Sequence, residues 1–183
     1  MYDGKMVFSQ VMAMLPWRRF QTCVKRYQGD KKIKKLSSRE FFLIMVFAQI
    51  TCRESLSGIV LCMKVLASHC YHIGIRSNIT KSNLAYANNK RNWKIFFDFA
   101  HILIRETTKL YRDDHIKLDI NEGVYALDPT TIDLCLTLFP WAHFRRTKSA
   151  IKMHTKINLR GKIPARNGVT KNNAYPYFHG KNA

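Results

Sequence analysis

Tyr125-Ala126-Leu127-Asp128-Pro129-Thr130-Thr131-Ile132-Asp133-Leu134-Cys135-Leu136 marks where the chain changes character. Two apolar, β-favouring runs flank a tight Asp-Pro-Thr-Thr, and Asp128 closes the first of them. Val124 to Leu127 and Thr131 to Leu136 read as two strands, and Ile151 to Leu159 as a third. A carboxylate at a strand end, in a chain of formal charge +19, is a natural place to hold a divalent cation against a phosphate backbone. Hard cations are held by several oxygen ligands. From Leu134 to Ala183 there is no Asp or Glu. The region thus offers Asp128 and, beside it, Asp133.

Upstream the period is helical. Val7, Phe8, Val11, Met12, Met14 and Leu15 recur at helical spacing and stop at Pro16. Trp17, Phe20, Val24 and Tyr27 continue in a second helix, closed by Gln28-Gly29-Asp30. Lys31 to Lys35 is a basic connector that reads as flexible. Ser37 followed by Glu40 predicts a capping-box start to a buried helix through Thr51. Glu54 to about Ala67 reads as another helix, and Ile73 to Thr80 as a polar turn containing Gly74. A short polar helix from Thr80 to about Asn89 follows, then a long one from Arg91 to Tyr111. The short helix carries Lys81, Ser82 and Asn83, with Lys90 and Arg91 at its exit. Two readings fit it: the recognition helix of a helix-turn-helix, or an ordinary capped surface helix.

These patterns give an α+β class. An all-α domain spans residues 1–114, a strand region spans 115–164, and an irregular tail spans 165–183. Charge is the compositional outlier, with 31 Lys and Arg against 12 Asp and Glu. Residues 1–120 carry 21 basic and 9 acidic side chains, and residues 121–183 carry 10 and 3, so both parts attract polyanions. DNA is the expected partner. Arg145, Arg146 and Lys152 extend the candidate DNA contacts into the strand region. The aromatic loop Phe139 to Phe144 before them could stack on bases or pack the sheet edge.

Five widely spaced cysteines suit reduced, buried thiols of a cytoplasmic protein. His69-Cys70-Tyr71-His72 has zinc-ligand residue types but no second half at usable spacing. The longest apolar run, Phe41 to Ile50, is short of a membrane span, and no membrane partner is expected.

From about Gly4 to about Pro164 the chain resembles the DDE transposases of bacterial insertion sequences, the IS-four group with an uncharacterised helical N-terminal domain. The similarity rests on Cys52-Arg53-Glu54-Ser55-Leu56, on Thr80-Lys81-Ser82-Asn83-Leu84 with Ala87-Asn88 and Lys90-Arg91, and on Phe96. It continues through Tyr125 to Leu136, Trp141-Ala142, Phe144-Arg145, Ile151-Lys152 and His154-Thr155. The resemblance implies a ribonuclease-H-like catalytic domain, here incomplete, with its first strands only. Asp128 matches the first catalytic and metal-holding aspartate, and Asp133 matches a neighbour outside the catalytic triad.

The family chemistry is DNA cleavage and strand transfer in DNA transposition, run on two Mg²⁺. The second Asp and the Glu segment of the family have no counterpart here, as a frameshift or early stop would leave it. A single carboxylate does not position two Mg²⁺, so no stably bound cofactor is expected. The main expectation is a truncated transposase that binds element ends or non-specific duplex and is catalytically silent alone. Its rivals are a stand-alone DNA-binding regulator or competitor of the full-length transposase, and a non-functional pseudogene product prone to aggregate through exposed strands.

Overall fold

A computed structural model describes residues 6–33, 35–111, 124–135, 137–145, 148–159 and 162–171. Among them, helices α1 (Val7–Ala13), α2 (Trp17–Arg26), α3 (Ser38–Ile50), α4 (Leu56–Val65), α5 (Ala67–Ile73), α6 (Lys81–Lys90) and α7 (Lys94–Leu110) precede the strands. Strands β1 (Tyr125–Leu134), β2 (His143–Arg145), β3 (Lys148–Asn158) and β4 (Ile163–Lys171) follow. This is the α+β class. The chain divides into two compact units, Met1–Ile102 and Leu103–Ala183. The boundary expected near residue 115 lies outside the described residues.

In the helical unit the local signals explain the breaks. Pro16 stands between α1 and α2, where it cannot continue the first helix. The Ser37 hydroxyl accepts the Glu40 N–H at 3.2 Å, and the Glu40 carboxylate accepts the Ser37 N–H at 3.1 Å, which completes a capping box on α3. The helix read from Glu54 to about Ala67 is α4, and a further helix, α5, follows it. α4 ends at Val65 and α5 leaves it at 96°, ending at Gly74 with φ 90°, a left-handed position suited to glycine. No single helix among the described residues is long and apolar enough to cross a membrane.

Phe20, 0% exposed, joins α2 to α3 and α7. Its ring packs on Trp17, Phe42, Phe96 and Phe99, with centroids 5.0 to 6.4 Å away. Leu43, Ile44, Leu84 and Ile95 are also fully buried. Along α7 it is Ile95 and Phe99 that are buried, while Phe97, Leu110 and, just before the helix, Trp93 are exposed.

Glu40 also ties α3 to the segment after α5. Its Oε1 accepts the N–H groups of Arg76 at 2.9 Å and Ser77 at 3.0 Å, and the Ser77 hydroxyl donates to the same carboxylate. Burial pushes the Glu40 carboxyl up, but the hydrogen bonds from Arg76, Ser37 and Ser77 outweigh it and hold the pKa below its ordinary value. A depressed folded pKa stabilises above the unfolded value and loses that contribution as pH falls through the folded one. Glu40→Ala is therefore expected to cost about 2–3 kcal/mol at neutral pH, from the lost cap and charge-assisted bonds. The difference from the parent should shrink below about pH 4. Denaturant melts at pH 7 and pH 3 check both points, and an unchanged gap at pH 3 contradicts the charged role.

In the second unit β3 pairs antiparallel with β1 on one side and with β2 and β4 on the other. The two strands expected around Asp-Pro-Thr-Thr are one. β1 runs without a register break from Tyr125↔Asn158 to Leu134↔Ser149, with Asp128 opposite Thr155 and Pro129 opposite His154. Among the described strands β1 lies at the sheet edge, the place where a sheet tolerates proline. The irregular tail expected from residue 165 is also corrected as far as Lys171, because β4 pairs with β3 through Val169↔Met153 and Gly168↔His154. Residues 172–183 lie outside the described residues.

The expectation of buried thiols is met at one position only. Cys23 is buried, Cys62 and Cys70 are half-buried, and Cys52 and Cys135 are exposed. Cys52 falls just past the end of α3 in a left-handed conformation, φ 53°, and Cys135 just past the end of β1.

Candidate nucleic-acid interface

The segment joining α2 to α3 is a shaped loop. Gln28 and Lys32 take positive φ, 51° and 62°. The Gly29 N–H donates to the Val24 carbonyl at 2.8 Å. A Cβ on Gly29 would sit 2.4 Å from Ile95 Cδ1 and 3.0 Å from the Ser38 hydroxyl, so any larger residue here needs its neighbours to shift. Asp30 accepts the Ser38 N–H at 2.7 Å and adds a second cap to α3. The flexible connector expected from the sequence is thus tied down over Gln28–Lys32.

Arg91 completes the tie. Its guanidinium donates to the Gly29 carbonyl at 3.1 Å and to the Leu36 carbonyl, near the two ends of the loop. Burial pulls its pKa down, and Asp30 and Tyr86 push back. Its Nε is buried with no hydrogen-bond partner among the described residues. The sequence makes Arg91 a candidate DNA contact, but the side chain is turned inward onto protein carbonyls. A buried guanidinium with these partners holds the loop in place.

Against this loop stands one face of α6. Asn83, Tyr86 and Lys90 fall at i, i+3 and i+7, a single helical stripe. A groove of about 610 Å³ lies between them and the loop. Lys31, Lys32 and Lys35 line it from the loop and Lys90 from α6, and Tyr27 and Tyr86 line it as well. No Asp or Glu is among the described lining residues. The Tyr27 hydroxyl is held by Asp98 at 2.8 Å, and Arg26 meets the same carboxylate at 2.9 Å.

Lys81 and Ser82 are exposed in the first turn of α6 but do not line the groove. Asn83 is half-buried, its N–H donating to the Thr80 hydroxyl at 3.2 Å and its amide to the Asn78 carbonyl at 3.4 Å. The Thr80 cap and the long 74–80 connector fit the capped surface helix better than a helix-turn-helix, whose turn is shorter. Sequence reasoning did not place Lys31, Lys32, Lys35, Tyr27 or Tyr86 among the candidate contacts. Their spacing carries no signal, because the groove joins segments far apart in the chain.

The remaining candidates lie on the sheet. Asp128 is exposed in mid-strand, and the Thr130 hydroxyl donates to it at 3.3 Å. Asp133 follows at an odd separation on the same unbroken strand, so the two carboxylates project from opposite faces. They cannot share a cation. Among the described residues no group of three or more His, Cys, Asp or Glu could hold a metal ion, and the residues do not fit a Mg²⁺ pair. Lys152 is half-buried on β3, opposite Thr131 and Thr170. His154, next on that face, is buried with its Nε2 3.0 Å from the Thr170 hydroxyl. Arg146 and the Arg145 side chain lie outside the described residues.

A family model described as "Domain of unknown function (DUF4372)" matches residues 3–76. That domain is found at the N-terminus of some transposases. No curated protein and no solved structure matches the chain. The matched stretch includes the lysine loop and stops before α6, so the groove joins a matched wall to an unmatched one.

Proposed function

We propose that this chain is a DNA-binding segment of a transposase of the IS-four kind. Its helical unit holds DNA through phosphate contacts, and β1 with Asp128 begins a ribonuclease-H-like unit. The observation that carries this reading is the groove lined by Lys31, Lys32 and Lys35 of the loop and Lys90 of α6, with no Asp or Glu among its described lining residues. Ammonium groups gathered on one surface release counterions when a polyanion replaces them, which favours phosphate backbones. The match to a domain found at the head of some transposases supports the same direction. So does the antiparallel run of β1, β3 and β4 with an aspartate on the first strand.

The two carboxylates of β1 face opposite ways, so together they support no step through a Mg²⁺ pair. The 183-residue chain is therefore read as a binder of DNA. A stand-alone regulator or competitor needs only the helical unit and its groove, and the same observation favours it equally.

Titration of a labelled duplex with the full chain tests the reading. With about 6 phosphates neutralised, the log–log salt slope is expected near −5. Affinity that stays flat between low and moderate salt overturns it.

A further inference from the structure

The groove has features that a duplex does not use. A duplex resting on the rim reaches the lysine heads, but its bases are stacked inside the helix. Besides the lysines the lining includes apolar and aromatic side chains, Ile33, Leu36, Ala87, Tyr27 and Tyr86. At about 610 Å³ the groove is within the size range of small-ligand sites, about 300–1,000 Å³. Tyr86 is 63% exposed, so its ring is open to a planar partner. Tyr27 is oriented by Asp98, and the loop beneath is held by Arg91 and Gly29, so the walls are preorganised. Cations beside an open aromatic face are the features by which proteins hold single strands: phosphates on the lysines, a base on the ring.

We infer that this groove takes an unpaired stretch of DNA, with a base stacked on Tyr86 and the flanking phosphates among Lys31, Lys35 and Lys90. The inference rests on the DNA-binding reading and adds the form of DNA the site selects. Such a site suits an end or a distorted step where a strand has left the duplex, and it tolerates any base because every base has a π-face.

The experiment compares a labelled oligo-dT of about twelve nucleotides, within the span of a single-strand site, with a duplex of the same length, using the full chain and its Tyr86→Ala and Tyr86→Trp variants. Tyr86→Ala should weaken single-strand binding about tenfold and duplex binding by a clearly smaller factor. Tyr86→Trp should keep or improve single-strand affinity. Melting curves should match for all three, since Tyr86 lies on the surface. Equal losses for both forms of DNA, or no loss for either, overturn the inference while leaving DNA binding intact. Failure of the parent chain to bind either form overturns the DNA-binding reading and this inference together.

Discussion

Phe20→Ala is expected to lower the stability of the helical unit by about 3–5 kcal/mol, the largest single-residue effect in the chain. Phe20 has no exposed surface and touches four other aromatic rings from three helices or their flanks. Truncation removes the transfer free energy of the ring and leaves a space that Trp17, Phe42, Phe96 and Phe99 cannot all close, because their own rotamers are set by other contacts. Edge-to-face pairs such as Phe20–Phe99, 5.0 Å apart at 74°, add a part beyond area burial. Urea denaturation followed by the helical circular dichroism signal gives the number. A loss under about 1 kcal/mol contradicts the core described here.

The second large effect is on binding. Changing Lys31, Lys32, Lys35 and Lys90 together to Ala should weaken duplex binding about a hundredfold or more near 0.1 M salt, and should flatten the salt slope by about 3–4. An equal charge change at Lys25, Lys64, Lys94 and Lys109, all exposed and outside the groove, is the control. A smooth basic surface would respond alike to both sets. A groove responds to the first set far more. In the sequence the loop lysines form a basic connector and those of α6 are candidate DNA contacts. In the fold Lys31, Lys32, Lys35 and Lys90 line one groove, so they are expected to act as one group.

Much of the helical unit is readable because its signals are local. Pro16, the Ser37–Glu40 box and Gly74 each act within a turn of where they stand, and each marks an observed helix limit. The sheet is a different case. Asp128-Pro129-Thr130-Thr131 carries the side chains of a turn, and only pairing with residues 152–155 holds it extended. β4 contains Pro164, Asn167 and Gly168, which hide any period, and again β3 supplies the order. The site follows the same rule. Lys90 is visible in the sequence as a basic residue at a helix exit. That Arg91 beside it turns inward depends on two carbonyls, 62 and 55 residues earlier, which no local pattern records.

Hydrogen exchange of the full chain with and without a saturating duplex tests most directly where DNA is held. Protection is expected over residues 28–36 and 83–92, the two walls of the groove, with little change along α4. Protection confined to β1–β4, or absent from both walls while DNA is bound, would contradict the assignment of the helical groove as the DNA-binding surface.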